Sequence, residues 1–193
     1  MTENAHIETV LFDQPGRHNT EQTLSVAKRR ADELGIDTVL VATTRGTTGV
    51  QAARLFQGYK VVVVTHCTGF REPNIQELEQ ENREAIEAAG ATILTCQHAF
   101  GGVSRAVRKK WGTYELDEIV AQTLRIFGQG TKVCVEIALM AADAGWVTVG
   151  EPCISIGGTG WGADTALVLK PANVQQFFDL EVQEILAKPR FSE

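Results

Sequence analysis

Short apolar runs of strand length alternate along the chain with longer segments of helical periodicity. The apolar runs cover residues 7–12, 38–42, 60–65, 91–95, 153–156 and 165–169. This alternation is typical of β-α-β units around a largely parallel sheet. The run at 60–65 is apolar at nearly every position, as in a central strand that helices cover on both faces. We therefore predict an α/β fold built on a mostly parallel sheet.

The helices are predicted from their periodicity and from signals at their ends. Asn19 and Gln22 have the spacing of a capping box at the start of the first helix, and Gly35 is placed to end it. Asn74 and Glu77 repeat the capping signal and predict the start of the third helix at Asn74. The other helices are predicted at residues 47–56, 103–111, 116–127, 133–144 and 174–186.

Length and composition are those of one ordinary globular domain. The chain has 193 residues, of which 44% are hydrophobic and 22% charged, and it contains no linker on which to divide it. We therefore predict a single domain over residues 1–193. No apolar stretch approaches the roughly 20 residues that a membrane crossing needs, and the N-terminus lacks the pattern of a signal peptide. We expect a cytoplasmic protein that does not bind membranes.

The charge and the cysteines exclude further classes of function. A net charge of −6 argues against nucleic-acid binding, because it repels a phosphodiester backbone. The basic run of Arg105, Arg108, Lys109 and Lys110 is interpreted as a solvated helix face rather than a polyanion site. The four cysteines include no Cys-x-x-Cys pair, so we expect reduced thiols that pack as small hydrophobic groups, with no disulfide framework or zinc ribbon.

Candidate chemistry lies in four loops that follow predicted strands, because ligands of open α/β sheets bind beyond the carboxyl ends of the strands. The loops cover residues 43–49, 65–73, 96–104 and 157–165. If the strands before the first and last of these loops belong to one parallel sheet, both loops open on the same edge. A single ligand could then bridge them, with the other two loops as walls.

The first loop passes from a strand directly into a helix. Its amides would face outward at the positive end of the helix dipole, a favourable place for phosphate. Arg45 can add a charge-assisted donor, and Gly46 allows close approach of the backbone. The loop lacks the Gly-Lys-Ser/Thr ending of a Walker A motif, and the alternative is a threonine-capped helix that binds nothing. The predicted phosphate ligands are Thr43, Thr44, Arg45, Gly46, Thr47 and Thr48.

The last loop holds several glycines around Trp161 and leads into a strand rather than a helix. It therefore lacks the dinucleotide-binding fingerprint. Its backbone amides could still form an anion site or a platform for a planar ring. Trp161 could stack on that ring, and Asp164 could accept a hydrogen bond from a hydroxyl or ring N–H. The alternative is a tight hairpin with a buried tryptophan.

The candidate acid–base groups are His66, His98 and Glu136. Both histidines follow strands, so a shared metal or a proton-transfer role with Cys67 or Glu72 can be considered. Since they lack further ligands at metal-binding spacing, we interpret them as hydrogen-bonding residues that line a pocket, and we predict no metal. Cys67 does not form a dyad with His66, because neighbouring residues at a strand end point in opposite directions. Glu136 lies in an otherwise apolar helix and either caps a pocket or faces solvent.

Several stretches resemble a known family. They are VVVVTH at 61–66, TGFREP at 68–73, FGQGTKVCVEIA at 127–138 and GGTGWGADTA at 157–166. These stretches are similar to a small group of stand-alone proteins with the fold of the C-terminal domain of pyruvate kinase. The resemblance covers nearly the whole chain, whereas the similarity to pyruvate kinase itself is limited to the loop at 43–48 and the final glycine loop.

The resemblance implies a three-layer α/β/α fold and a phosphorylated ligand held by those two loops. Members of the stand-alone group are associated with flavin mononucleotide (FMN), so FMN is the implied cofactor. By position, the residues implied to lie against its ribityl chain or ring are Gly158, Thr159, Gly160, Gly162, Ala163 and Asp164. Further residues expected around the cofactor are Thr65, His66, Phe70, Phe100, Trp161 and Thr165. The barrel that carries the active site of pyruvate kinase is absent from this sequence, so we do not expect that reaction.

Three functions remain open from the sequence. The first is binding of FMN or a similar small phosphorylated ligand. The second is catalysis, by a flavin-dependent oxidoreductase or another enzyme that acts on a phosphorylated metabolite. The third is a regulatory module that senses such a metabolite. Assembly as a homo-oligomer is compatible with all three.

Overall fold

The computed structural model describes residues 6–190 and contains one seven-stranded sheet with helices on both faces. The strands are β1 (Val10–Phe12), β2 (Thr38–Ala42), β3 (Lys60–Val64), β4 (Thr92–Leu94), β5 (Cys153–Gly157), β6 (Thr165–Lys170) and β7 (Glu181–Pro189). Their order in the sheet is β1-β7-β6-β5-β2-β3-β4. Only β6 runs antiparallel to its neighbours, β5 and β7, and the other pairs are parallel. The predicted α/β fold with a mostly parallel sheet is confirmed.

In the described part of the chain, six α-helices connect the strands. They are α1 (Thr20–Leu34), α2 (Thr47–Leu55), α3 (Gln80–Ala88), α4 (Val103–Trp111), α5 (Leu116–Arg125) and α6 (Gln129–Asp143). Two 3-10 helices occupy Arg17–Asn19 and Val174–Asp179. Within residues 6–190, no helix combines the length and the apolar character that crossing a membrane requires.

The core has two sides because successive strand residues point to opposite faces of the sheet. Val39 and Val41 of β2 pack in a cluster with α1, α2 and α3. Leu40, between them, packs on the other side with apolar residues of α6. The apolar run of β3 divides in the same way, with Val61 and Val63 on the first side. The result is a three-layer arrangement in which α5 packs on the outside of α6.

The first helix ends as predicted but begins without its capping box. Gly35 has φ 66°, and its N–H donates to the carbonyls of Ala31 and Asp32, which is a left-handed helix end. Asn19 precedes the helix, yet its side-chain amide donates to the carbonyl of Gln14 at 2.8 Å rather than capping the helix.

The predicted start of the third helix at Asn74 is wrong, because α3 begins at Gln80. Asn74 has φ 65°, so the chain turns there instead of entering a helix. The carboxylate of Glu77 accepts from His66 Nδ1 at 2.7 Å and from Arg71 Nε at 3.0 Å. The glutamate of the predicted capping box therefore serves a loop contact.

Two further elements differ from prediction, one in its type and one in its start. The segment 174–186 is not a helix, since a short 3-10 helix is followed by strand β7, which pairs with β6 and β1. The apolar residues of this segment fit both a helical and a strand period. The segment forms a strand because it pairs with the edge of β6. Helix α6 begins at Gln129 instead of residue 133, which adds Gln129 and Lys132 to its first turn.

Candidate functional site

A cavity of about 690 Å³ opens at the carboxyl edge of the sheet. Strands β2 and β5 are parallel neighbours, so the loops that follow them lie side by side at this edge. This confirms the prediction that the two loops share an edge. The loops after β3 and β4 add His66, Phe70 and His98 to the walls.

The loop before α2 lines the cavity with Thr43, Thr44, Arg45, Thr47 and Thr48. The amides in the first turn of a helix have no partner within the helix, so those at the start of α2 are available to an anion. The hydroxyl of Thr43 is engaged, because it accepts from the Gly46 amide at 3.1 Å.

Gly46 does not line the cavity, in contrast to the prediction that it holds phosphate. Its backbone has φ 109°, and a Cβ added there would lie 2.4 Å from Asn82 Cβ and 2.8 Å from Leu78 Cδ1. Glycine is therefore needed at this position because α2 packs closely against the segment around α3. The amide of Gly46 is also occupied by Thr43.

Four residues of the glycine loop line the cavity, namely Gly158, Gly160, Trp161 and Gly162, whereas Thr159, Ala163, Asp164 and Thr165 do not. Asp164 is fully buried. Its carboxylate accepts from the amides of Gly16 at 2.9 Å and Thr159 at 3.1 Å, and from Thr165 Oγ1 at 2.9 Å. Asp164 therefore fixes the loop from behind, which corrects its predicted contact with a ligand.

Trp161 lies at the mouth of the cavity with 45% of its surface exposed, so the alternative of a buried tryptophan is wrong. The guanidinium carbon of Arg45 is 4.9 Å from the centre of its ring, and that of Arg71 is 6.0 Å away. Distances in this range allow cation–π attraction. Trp161 thus brings together Arg45, from the loop before α2, and Arg71, from the loop after β3.

Positive charge dominates the lining. The cationic side chains are Arg17, Arg45, Arg71, Arg105, Arg125 and Lys132. Among the described lining residues, the one carboxylate is that of Glu136. Such a concentration of positive charge contrasts with the net charge of −6 of the whole chain and favours an anionic ligand.

His66 and His98 come together although their loops are distant in sequence. Their ring centres are 5.5 Å apart, and Phe70 lies 4.1 Å from His66 and 4.9 Å from His98. Burial lowers the pKa of His66 and outweighs the opposing effect of its hydrogen bond to Glu77. This side chain is therefore neutral at pH 7 and presents an aromatic surface to the cavity.

Glu136 is buried and lines the cavity. Of the two predicted alternatives, it therefore caps a pocket and does not face solvent. Its carboxylate pairs with Lys132, accepts from the Phe100 amide at 3.1 Å and lies 3.6 Å from His98 Nδ1. Burial opposes ionisation, but His98 and Lys132 outweigh it and lower the pKa of Glu136 to about 2. Phe100 itself does not line the cavity, since its ring packs in the core with α5 and α6.

Thr65 lines the cavity, but its hydroxyl is 2.6 Å from that of Thr95 and is therefore engaged.

Within the part of the chain that the structure describes, no group of three or more histidine, cysteine, aspartate or glutamate side chains could hold a metal ion. The four cysteines are free thiols, and Cys134 and Cys153 are buried.

Several lining residues were not predicted from the sequence. Arg17 and His18 precede α1, and Arg125 and Lys132 come from α5 and α6. The interpretation of Arg105 as part of a solvated face is wrong, because this side chain lines the cavity. One signal was available in the sequence, since Lys132 and Glu136 are four residues apart in an apolar helix, the spacing of a buried ion pair.

Comparison with known proteins finds a family model that matches more than half of the chain. The model of the family described as "Pyruvate kinase, alpha/beta domain" matches residues 21–169. Among solved structures, a pyruvate kinase from Cryptosporidium parvum is 8% identical over 79% of this chain, with a TM-score of 0.41. Another crystal structure of Cryptosporidium parvum pyruvate kinase is 9% identical over 82% of this chain, with a TM-score of 0.40. This chain spans 23% of the length of either structure.

Proposed function

The chain belongs to the family of the pyruvate kinase alpha/beta domain, and from that premise we propose that its single domain binds a phosphate-bearing small molecule, FMN in particular. The ligand occupies the cavity at the carboxyl edge of the sheet. The observation that carries the proposal is the set of six cationic side chains and one carboxylate around about 690 Å³ of space. A charged hydrogen bond to phosphate contributes about 1.5–3 kcal/mol, so a few such contacts suffice for specific binding.

The start of α2 receives the phosphate. Thr47 and Thr48, the first two residues of the helix, line the cavity, and Arg45 precedes them and contacts the Trp161 ring. The helix dipole and the guanidinium both favour a doubly charged group at this point.

The rest of the cavity supports a ligand with a planar ring and a polyhydroxyl chain. His66, Phe70 and His98 form an aromatic wall, on which an isoalloxazine ring can stack. The glycine loop brings backbone groups of Gly158 and Gly160 to the cavity without side chains in the way, which suits the ribityl hydroxyls. The cavity volume lies in the range of small-molecule sites.

The test is a titration of FMN followed by quenching of flavin fluorescence. Thr47→Val removes one hydroxyl donor from the phosphate site, and we expect affinity for FMN to fall about tenfold. Thr38→Val is the matched control, since Thr38 begins β2 at the opposite edge of the sheet. A protein that quenches no flavin fluorescence, or a Thr47→Val variant with unchanged affinity, would contradict the proposal.

A second candidate function is catalysis on the bound flavin or on a phosphorylated metabolite. It is favoured by the two histidines in the cavity, each of which lies beside a carboxylate: His66 with Glu77 and His98 with Glu136. Such pairs orient an imidazole for proton transfer. The test is whether NADH or NADPH bleaches protein-bound FMN faster than free FMN, and whether His98→Gln slows this reaction while FMN affinity stays unchanged.

A further inference from the structure

The cavity has a second cationic wall, opposite the start of α2. It consists of Arg105 on α4, Arg125 on α5 and Lys132 on α6. Helix α2 packs on one face of the sheet and α6 on the other. The cavity at the sheet edge is thus lined from both helical layers, and its positive charges fall into two groups.

The three charges of this wall are only partly compensated. Lys132 is 4% exposed and pairs with Glu136, a carboxylate that also holds His98 and the Phe100 amide. The contact of Arg125 is with a neutral group, since its Nε donates to Gln129 Oε1 at 2.6 Å.

Arg105 has even less compensation. Its Nε is buried and has no hydrogen-bond partner within residues 6–190, and its guanidinium carbon stands 5.0 Å from the centre of the Phe70 ring. Over the same part of the chain, neither Arg105 nor Arg125 has a carboxylate within ion-pair distance.

Three positive charges beside one carboxylate leave this wall short of negative charge. A buried, unpaired donor or cation is costly, and a bound anion removes that cost. Burial lowers the pKa of Lys132 and outweighs the opposing effect of its pair with Glu136, and the charges of Arg125 and Arg105 add to the lowering. Arginine also presents a planar fork of donors that matches the oxygens of a carboxylate or phosphate.

We propose that Arg105, Arg125 and Lys132 form a second anion subsite, which takes a carboxylate or phosphate group distinct from the phosphate at α2. The inference rests on the proposed function, because the second group shares the cavity with the first. The group belongs either to a separate small anion, such as a carboxylic acid substrate bound beside FMN, or to a ligand other than FMN that carries an anionic group at each end. The chemistry that recognises it is the same in both cases.

The test uses inorganic phosphate as the probe and the amide resonances of the protein as the readout. Two sets of amides are followed: Thr47 and Thr48 at α2, and Gln129 and Gly130 at the first turn of α6. We expect both sets to shift in a saturable way on addition of phosphate. The double substitution Arg105→Gln with Arg125→Gln should abolish the shift of the α6 set and leave the α2 set unchanged.

Lys109→Gln is the matched control, because Lys109 is on the same helix as Arg105 but is exposed and does not line the cavity. Both sets should shift in this variant as in the parent. If the double variant does not fold, either single variant serves, and a severalfold weaker response of the α6 set alone is then expected.

The outcomes separate the two proposals. If only the α2 set shifts, or if the α6 set shifts equally in the double variant, the second subsite is overturned. If only the α6 set shifts, and only with both arginines intact, the subsite stands and the phosphate site at α2 fails. If neither set shifts, both fail.

A second experiment distinguishes a separate anion from a single ligand that spans both walls. Phosphate added to the FMN-saturated protein shifts the α6 set if the subsite takes a separate anion. FMN has only one phosphate and cannot supply both anionic groups, so if one ligand spans both walls, a linear bisphosphate shifts both sets together in the flavin-free protein and inorganic phosphate then adds nothing. An α6 set that responds to neither phosphate nor the bisphosphate overturns the subsite.

Discussion

Glu136 is the residue that makes a cationic wall possible inside the protein. Its carboxylate lies between Lys132, His98 and the Phe100 amide, and it is the negative charge that those groups share. A buried ion pair adds little net stability compared with apolar packing, but loss of one partner leaves the other charge uncompensated. The energetic importance of Glu136 therefore appears when it is removed.

We predict that Glu136→Gln destabilises the fold by about 3–5 kcal/mol at pH 7, because Lys132 loses its carboxylate partner in a buried place. Urea unfolding of the parent and the variant measures the difference. Glu81→Gln is the control, since Glu81 is exposed on α3, and this change should stay within about 0.5 kcal/mol.

The difference in unfolding free energy between the parent and Glu136→Gln should depend on pH. The pKa of Glu136 falls from an ordinary 4.5 to about 2 on folding, so its stabilising effect is fully present above pH 4.5 and is lost as the pH falls toward 2. The difference in stability between the parent and Glu136→Gln should therefore disappear as the pH falls from 4.5 toward 2. A gap that is already absent at pH 7 would show that the carboxylate does not stabilise Lys132.

A second prediction at the residue scale concerns Gly46. Gly46→Ala adds a Cβ that lies 2.4 Å from Asn82 Cβ at a backbone φ of 109°. We expect a loss of stability of about 2–4 kcal/mol, the sum of backbone strain and overpacking. If a Gly46 variant lost ligand binding, the cause would be damage to the fold. The sequence instead predicts a direct contact between Gly46 and phosphate.

Gly58→Ala separates the two contributions to this loss. Gly58 has φ 87°, but an added Cβ would meet nothing within 4 Å, so this variant carries the backbone strain alone. Thermal unfolding of both variants should show a clearly smaller loss for Gly58→Ala. Equal losses would mean that the contact between α2 and the region of α3 is loose enough to adapt.

Individual site residues could be predicted only where a local pattern marks them. Thr47 and Thr48 follow a strand and open a helix, a pattern that the sequence displays directly. Arg105 and Arg125 lack such a pattern, since an arginine on an exposed helix and one in a cavity look alike in sequence. Asp164 is predicted at the ligand from its place in the glycine loop, yet its carboxylate accepts from the nearby Thr159 and Thr165 and from Gly16, a contact distant in sequence that no local pattern reveals.

At the scale of elements, the position of α6 sets the geometry of the second wall. Its first turn approaches β6 so closely that a Cβ on Gly130 would lie 2.0 Å from Thr165 Oγ1 and 2.5 Å from Thr165 Cβ. Two positions later, Lys132 enters the cavity, and Glu136 follows one turn further on. The close approach at Gly130 thus fixes the depth at which both charged groups lie.

We predict that Gly130→Ala destabilises the protein by about 1–3 kcal/mol, although alanine favours a helix by about 1 kcal/mol over glycine. The added methyl group must push α6 away from β6. Urea unfolding measures the change, and Gln122→Ala, at an exposed position of α5, should stay within about 0.5 kcal/mol. A Gly130→Ala variant more stable than the parent would show that α6 moves without cost.

The elements themselves were predictable to different degrees. The buried strands β2 and β3 appear as nearly uninterrupted apolar runs, and helices α1 and α4 are each followed by a glycine that marks the end of the helix. The start of α3 was misplaced because Asn74 and Glu77 have capping spacing but serve a turn and the contacts of His66 and Arg71. Strand β7 was missed because its identity depends on pairing with β6 and β1, which no local pattern records.

At the scale of the whole molecule, the charge is divided between an acidic exterior and a cationic cavity. The chain carries 24 acidic and 18 basic lysine and arginine residues, yet six of these basic residues line one cavity with one carboxylate. An acidic exterior repels polyanions such as nucleic acids, whereas the cavity attracts a small anion that can enter it. For the ligand proposed above, this division would select by size as well as by charge.

The last prediction follows from this division. Attraction of FMN to the cavity should weaken with salt, because the screening length shrinks from roughly 30 Å at 0.01 M to roughly 3 Å at 1 M ionic strength. We expect the Kd for FMN, measured by fluorescence titration, to rise at least about tenfold over this range. Riboflavin, which has the same ring and ribityl chain but no phosphate, should bind more weakly and with little dependence on salt. The variant Arg17→Gln should reduce the salt dependence for FMN, whereas Lys109→Gln, outside the cavity, should not. If FMN and riboflavin respond equally to salt, the phosphate is not recognised by the cationic lining, and the ring alone would have to account for binding.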